Sequence, residues 1–233
     1  MSLLKHQRRF KDVGIGGLAA RWYDSNTRKN RLGEMRMYAD IVSECVNDGS
    51  HILEVAPGPG YLAMELAKLG KCNEITGLDI SEDFVQIAKE NAQKAGVFEK
   101  IKFLQGNVAN IPINNNEFDF IICVAAFKNF KKPLAALEEM FRVLKPEGTA
   151  LIVDMNRDVS DRQIEEYLKS FNTKGIGKAF MKLIFKNFLK SGSYTKDEFV
   201  DLISNTEFKH YRIEEKDIGF YIYLTKCTEP FSP

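Results

Sequence analysis

Residues 51–60, read as HILEVAPGPG, limit what this chain can become more than any other stretch. An apolar run closes near Glu54, the chain turns through Ala56-Pro57-Gly58-Pro59-Gly60, and an amphipathic helix pattern, YLAMELAKL, follows. A strand that turns through glycines into a helix brings backbone close to a ligand and aims the helix N–H groups at it. The next apolar run, EITGLD, ends in Asp79. That matches the spacing of about 20 residues at which a carboxylate reaches a ribose in nucleoside-binding strand–helix–strand units. The pattern points to a nucleoside ligand and leaves open which one.

The alternation continues along the chain. Strands are predicted over 51–55, 74–79, 101–105, 118–124 and 149–154, with helices over 61–68, 82–95 and 133–144 between them. Ser81 stands where a side chain caps the second of these helices. Strands alternating with helices build a parallel sheet covered on both faces. The expected fold class is therefore α/β, a doubly wound, mostly parallel seven-stranded sheet. Its last two strands come from YRIEEKDIGFYIYLTKC, a hairpin turning near 217–219 that makes one edge antiparallel. In a single domain, 1–49 forms an N-terminal cap of one or two helices, 50–155 the cofactor-binding core, and 156–192 an inserted helical lid. The rest, 193–233, supplies a further helix and the hairpin. Helix is expected throughout 158–191 apart from a break near Gly175 and Gly177, and Thr195 and Glu198 have capping-box spacing.

A chain of 233 residues suits one such domain. Basic and acidic residues nearly balance, 33 against 32, so no net field argues for nucleic acid. No run approaches the roughly 18 apolar residues of a membrane span, and MSLLKHQRRFKD lacks the apolar stretch of a secretory signal. Cys45, Cys72, Cys123 and Cys227 are scattered, and His6, His51 and His210 are isolated. That distribution argues against a disulfide framework, a metal centre or His-based catalysis, and a cytoplasmic protein without metal is expected.

The glycines alone do not choose the nucleotide, because Gly58-Pro59-Gly60-Tyr61-Leu62-Ala63 also fits G-x-G-x-x-A, the NAD fingerprint. Glu54 discriminates better. A carboxylate at the mouth of the loop repels a pyrophosphate and suits a cationic or zwitterionic ligand. Gly106-Asn107-Val108 follows the third strand, where an amide can hydrogen-bond an adenine edge. Together LEVAPGPG, LDIS, GNVANIP, FDFIICV and RVLKPEG resemble the class I S-adenosylmethionine-dependent methyltransferases, over about residues 50–155 and again at the hairpin. The resemblance implies that S-adenosyl-L-methionine binds and leaves as S-adenosyl-L-homocysteine. Ala56, Pro57, Gly58 and Gly60 would then lie under its methionine portion, positioned by Glu54. Asp79 would bind both ribose hydroxyls, and Asn107 would meet the adenine amino group with Val108 beside it. Ile80, Val124 and Ala125 would complete the cofactor contacts. Two positions depart from the family pattern: Ala56 replaces the usual first glycine, and Asn107 stands where aspartate is common. An NAD-dependent oxidoreductase and a non-catalytic nucleoside-binding protein are the alternatives.

Methyl transfer from a sulfonium needs alignment more than acid–base chemistry, and no catalytic residue is identifiable. The Asn-Pro-Pro-Tyr motif of amino-methylating enzymes is absent after the fourth strand, so a small, partly apolar or aromatic acceptor is expected. AAFKNFKKPLAALEEMFRVLKPEG is also similar to the matching stretch of ubiquinone/menaquinone C-methyltransferases, with Lys128-Asn129 at their basic-Asn pair, and WYDSNTRKNRLGEM is loosely similar to their Tyr-Asp segment. Candidate acceptor contacts are Trp22, Tyr23, Phe127, Lys128 and Asn129, with Phe180 and Phe185 from the insertion. There Lys174, Lys178, Lys182, Lys186 and Lys190 recur every fourth residue opposite an aromatic-rich face. This reads as a solvated stripe, a lid over the acceptor, or a surface for peripheral membrane contact.

Overall fold

The computed structural model describes residues 12, 14–169 and 192–227. A single helix, α1 (Gly17–Cys45), precedes β1 (Ser50–Val55), α2 (Tyr61–Leu69), β2 (Cys72–Asp79), α3 (Glu82–Lys94) and β3 (Ile101–Gln105). Then come β4 (Phe118–Val124), α4 (Pro133–Val143), β5 (Leu144–Met155), α5 (Asp161–Lys169), α6 (Lys196–Ser204), β6 (His210–Lys216) and β7 (Gly219–Thr225). The strands form one sheet in the order β3-β2-β1-β4-β5-β7-β6. The first five are parallel, and β7 runs antiparallel to both β5 and β6. Chain order reverses between β1 and β4, which is where an open α/β sheet leaves a crevice for a ligand.

Successive strand residues face opposite sides, and both sides are dry. Ile52, Phe120, Ile122, Leu151 and Tyr221 meet apolar residues of α1, α2 and α3. Leu53, Ile121, Cys123, Ile152, Phe220 and Ile222 pack on the other side with α4 and α6. Double-sided burial explains why the central strands read as unbroken apolar runs. On the α6 side, Phe199 packs against Phe127 (ring centroids 5.3 Å apart), Tyr194 (5.0 Å) and Phe220 (5.9 Å), joining α6 and the turn after β4 to the sheet.

Local signals explain the ends of the elements. Ser81 Oγ accepts from Phe84 N (3.2 Å), capping α3 as expected. Thr195 and Glu198 form the full capping box of α6. The helix expected from 158 starts instead at Asp161. Asp158 N donates to Asn156 Oδ1 (2.8 Å) in a turn, and Ser160 and Gln163 bond reciprocally as a second capping box. Strand β5 begins at Leu144, five residues before the expected start, because the Lys-Pro-Glu-Gly stretch joins the ladder through a register shift against β4. The residues 170–191, with Phe180, Phe185 and the lysine repeat, lie outside the described residues.

Phe199 is fully buried, so Phe199→Ala should lower stability by ~3–5 kcal/mol. Urea unfolding would read this as a lower midpoint with an unchanged slope.

Candidate active site

The crevice is built by backbone. The last paired residues of β1 and β4 are Val55 and Cys123. Beyond them each chain turns away from the other: Ala56 N donates to Leu78 O of β2 (2.8 Å), and Ala125 N donates to Val153 O of β5 (2.7 Å). Both alanines have left-handed backbone, φ 56° and 57°. An L-residue with a Cβ is strained there, and such outliers gather at functional sites. Gly58 (φ 54°) and Gly60 (φ 79°) complete the loop, and nothing lies within 4 Å of the place a Gly58 side chain would occupy. The backbone therefore offers an open shelf between β1 and β4.

Two carboxylates line it. Glu54 is only 4% exposed, and its Oε2 is the one sealed side-chain atom without a hydrogen-bond partner among the described residues. Burial pushes its carboxyl up to about 8, against one backbone hydrogen bond from Ala63, while the Asp79 charge adds to the rise and the Arg31 charge opposes it. Such an orphan suits a cation arriving in the crevice, as the ammonium of the methionine portion would. Asp79 is buried too, and burial outweighs the backbone N–H groups that hold its charge. Its Oδ2 accepts from Gly58 N (2.9 Å) and its Oδ1 from Ser81 N (2.9 Å). Asp79 thus fixes the loop itself, and each oxygen keeps a further lone pair for a ribose hydroxyl. Ile80, directly after it, is exposed at 37%. Asn107 Oδ1 accepts from Ala109 N (2.9 Å), forming a tight turn beside buried Val108.

Before α1 the chain crosses this edge of the sheet. Asp12 N donates to Asn129 O (3.1 Å) and Lys131 N donates to Asp12 Oδ1 (2.9 Å), both after β4. Ser81 Oγ donates to Ile15 O (2.6 Å) and Gly17 N donates to Asp83 Oδ2 (2.9 Å), both after β2. Since β1 lies between β2 and β4, this strap spans the crevice.

The candidate acceptor residues separate. Trp22 is 66% exposed. Tyr23 sits edge-on to Phe84 (5.8 Å), its phenol within the field of Arg31. Phe127 is fully buried in the aromatic cluster below the crevice. Lys128 is 6% exposed; its Nζ donates to Asp154 Oδ1 (2.8 Å) and Ala125 O (2.7 Å), so the ammonium fixes the turn after β4. Asn129 is exposed. A group that no local spacing announces lies on the β5–β7 side. On α1, Arg31 pairs with Glu34 (2.9 Å), which also accepts from Tyr38 (3.1 Å). Tyr38 meets Tyr221 of β7, ring centroids 6.1 Å apart, and the charges of Arg31 and Glu34 act on Tyr167 of α5. Burial drives the Tyr38 hydroxyl far above its usual range and that of Tyr167 to about 12, so both are neutral donors. The five residues come from three elements spread from 31 to 221, and no local spacing in the sequence joins them.

Residues 46–216 match the family described as Methyltransferase domain. The ubiquinone/menaquinone biosynthesis C-methyltransferase UbiE of Rickettsia rickettsii is 29% identical over 203 residues, 85% of this chain and 79% of that protein. Among solved structures, a proposed S-adenosyl-L-methionine-dependent methyltransferase from Methanococcus maripaludis gives a TM-score of 0.74 at 22% identity, covering 98% of this chain and 99% of that one. A SAM-dependent methyltransferase from Aquifex aeolicus gives 0.64 at 22% identity, covering 89% and 96%. These two likenesses speak to fold.

Two outcomes follow from the strain and the orphan. Ala56→Gly should raise stability by ~0.5–1 kcal/mol, because glycine relieves a left-handed alanine and gives part back as unfolded-chain entropy; thermal unfolding reads this. A cation beside Glu54 favours its ionised form, so below about pH 8 S-adenosylmethionine should bind with release of a proton from Glu54. Affinity should then rise from pH 6 to 7, and Glu54→Gln should flatten the slope; calorimetry in buffers of different ionisation enthalpy counts the proton. The unliganded protein should behave oppositely. The folded carboxyl titrates above its unfolded value, so its contribution to stability is complete below about pH 4.5 and is lost as pH rises through about 8.

Proposed function

We propose, from the fact that this chain belongs to the methyltransferase-domain family and is an S-adenosylmethionine-dependent enzyme, that it methylates a small, partly apolar or aromatic acceptor by in-line displacement. The observation that carries the acceptor reading is the gathering of Tyr38, Tyr167 and Tyr221 around the Arg31–Glu34 pair, near enough to Glu54 for the Arg31 charge to act on it. Rings favour a ring by offset or edge-to-face packing, and hydroxyl and guanidinium groups orient a polar substituent on it. The kinship with a protein named as a quinone-biosynthesis C-methyltransferase supports the same class.

The bound cofactor supplies a methyl group already activated on sulfur. The chain's work is therefore to hold, aim and dry. Glu54 holds the cationic end of the methionine portion and gives up its proton as it does so. Asp79, with the backbone of Gly58 and Gly60, holds the ribose end, while Asn107 and Val108 bound the base. Ile80, Val124 and Ala125 border the same crevice. On the acceptor side, α1 and α5 supply Arg31, Tyr38 and Tyr167. No helix among the described residues is long and apolar enough to cross a membrane.

Incubation with methyl-labelled donor and a panel of hydroxylated aromatic and aliphatic metabolites tests the class directly; label entering only polar aliphatic acceptors would overturn it. Asp79→Ala should weaken S-adenosylhomocysteine binding by roughly 1.5–3 kcal/mol for each charge-assisted hydrogen bond lost. Arg31→Met should instead raise the acceptor KM and leave cofactor affinity nearly unchanged, since the two ligands rest on different residues.

A further inference from the structure

The glycine loop is held at four points. Ala56 N is bonded to Leu78 O (2.8 Å), Gly58 N to Asp79 Oδ2 (2.9 Å) and Gly60 N to Pro57 O (3.0 Å), all within the β1–β2 unit. The fourth hold comes from outside it: Asn91 of α3 donates through Nδ2 to Pro59 O (3.0 Å). Asn91 is 3% exposed, and its amide belongs to a partly buried network centred on Asp24 of α1. Asp24 Oδ1 accepts from Asn91 Nδ2 (3.0 Å) and Tyr61 Oη (2.5 Å). Arg28 donates to Asp24 Oδ2 (3.0 Å) and to Asn91 Oδ1 (2.5 Å).

The polarity of this network permits one arrangement. The Asp24 carboxylate and the Pro59 carbonyl can only accept, and Arg28 can only donate. The Asn91 amide must therefore turn both N–H groups toward Asp24 and Pro59 and its oxygen toward Arg28. A flipped amide would set its oxygen against a carboxylate and its N–H groups against a guanidinium. The β1–β2 unit supplies only the Pro59 acceptor for this amide; the rest of the constraint comes from Asp24 and Arg28 of α1.

We propose that Asp24 is a positioning residue for the cofactor site: it locks the Asn91 amide in the orientation that holds the Pro59 carbonyl and with it the shelf of Gly58 and Gly60. The N-terminal helix is thus part of the cofactor-binding apparatus although Asp24 need not touch the cofactor. Loss of the lock lets the loop sample shapes that the ligand must select against, which lowers apparent affinity by the fraction of competent loop.

A residue swap separates this role from simple tethering of α1 to α3. Asp24→Asn and Asn91→Asp singly each break the network, and each should weaken S-adenosylhomocysteine binding about tenfold, the worth of one charge-assisted hydrogen bond. The double variant D24N/N91D restores the interhelical bonds with their roles exchanged: residue 24 donates and accepts as an amide, and residue 91 accepts from it and from Arg28. Thermal stability should return to within a few degrees of the parent. A carboxylate at 91 has no N–H for Pro59 O, however, so affinity measured by calorimetry well below every melting temperature should stay about tenfold weak. Parent binding of S-adenosylhomocysteine in the same experiment checks the cofactor reading independently. Recovery of affinity together with stability would make the network a helix tether and overturn the proposal, as would single variants that melt earlier yet bind normally. The single variant Asp24→Asn, which changes no volume, keeps the test decisive if Asn91→Asp folds poorly.

Discussion

Beyond Val55 and Cys123, β1 and β4 stop pairing with each other and pair outward instead, Ala56 to β2 and Ala125 to β5. Everything at the site depends on that parting. It opens the sheet between β1 and β4, where the order of the parallel strands reverses, and it leaves the first turns of two loops facing each other across a gap. The divergence requires left-handed backbone at both corners, and here both corners are alanine. Glycine would take that conformation without strain, so two bonds to neighbouring strands hold the corners against their own preference. The result is a cleft whose walls are backbone, set by the sheet rather than by adaptable side chains.

Into this cleft the chain places acids in positions that are unfavourable for the empty fold. Glu54 is sealed, with one oxygen unpaired, and Asp79 is buried close enough to raise its proton affinity further. Two neighbouring carboxyls away from water resist ionising together. A ligand that brings positive charge to one and hydroxyl donors to the other answers both needs. Binding and stability pull apart here, a common pattern where a site is prepared in advance of its ligand. The Lys128–Asp154 pair beneath the same edge behaves differently: Asp154 also accepts from the backbone N–H groups of Lys128 (2.9 Å) and Met155 (2.8 Å), so that carboxylate is fully engaged and serves structure.

Most of the fold was legible because its signals are local. Each parallel strand is an apolar run closed by a turn, and Ser81 and the Thr195–Glu198 box mark their helices by spacing. Ser160-x-x-Gln163 carries the same signal, and it overrides the uninterrupted helical periodicity that predicts α5 from 158, three residues early. The glycine loop, Glu54 and Asp79 were equally readable, since a strand–loop–helix unit fixes its ligand contacts within about 20 residues. The aromatic pair Trp22-Tyr23 could be placed only as a pair: which ring faces inward depends on how α1 rolls against α3. The tyrosines gathered at Arg31, and the joining of Asp24 to Asn91, arise from tertiary packing across long separations and leave no periodic trace. Ala56 illustrates a finer limit. Alanine is close to glycine in volume, but the conformation it must adopt, not its volume, is what glycine would have relieved.

The position of β7 bears on how the protein is made. This strand is the penultimate member of the sheet in space but the last in sequence among the described strands, and it inserts between β5 and β6, pairing Ile152 with Ile222 across a long sequence separation. Phe220, Ile222 and Leu224 fill one apolar layer while Tyr221 enters the other. Until Thr225 has emerged from the ribosome, β5 therefore has one unpaired edge, and both layers lack residues that complete them. A nascent chain in that condition exposes an apolar strand edge for the whole time needed to translate the residues between β5 and β7, the state in which parallel sheets are most open to wrong partners.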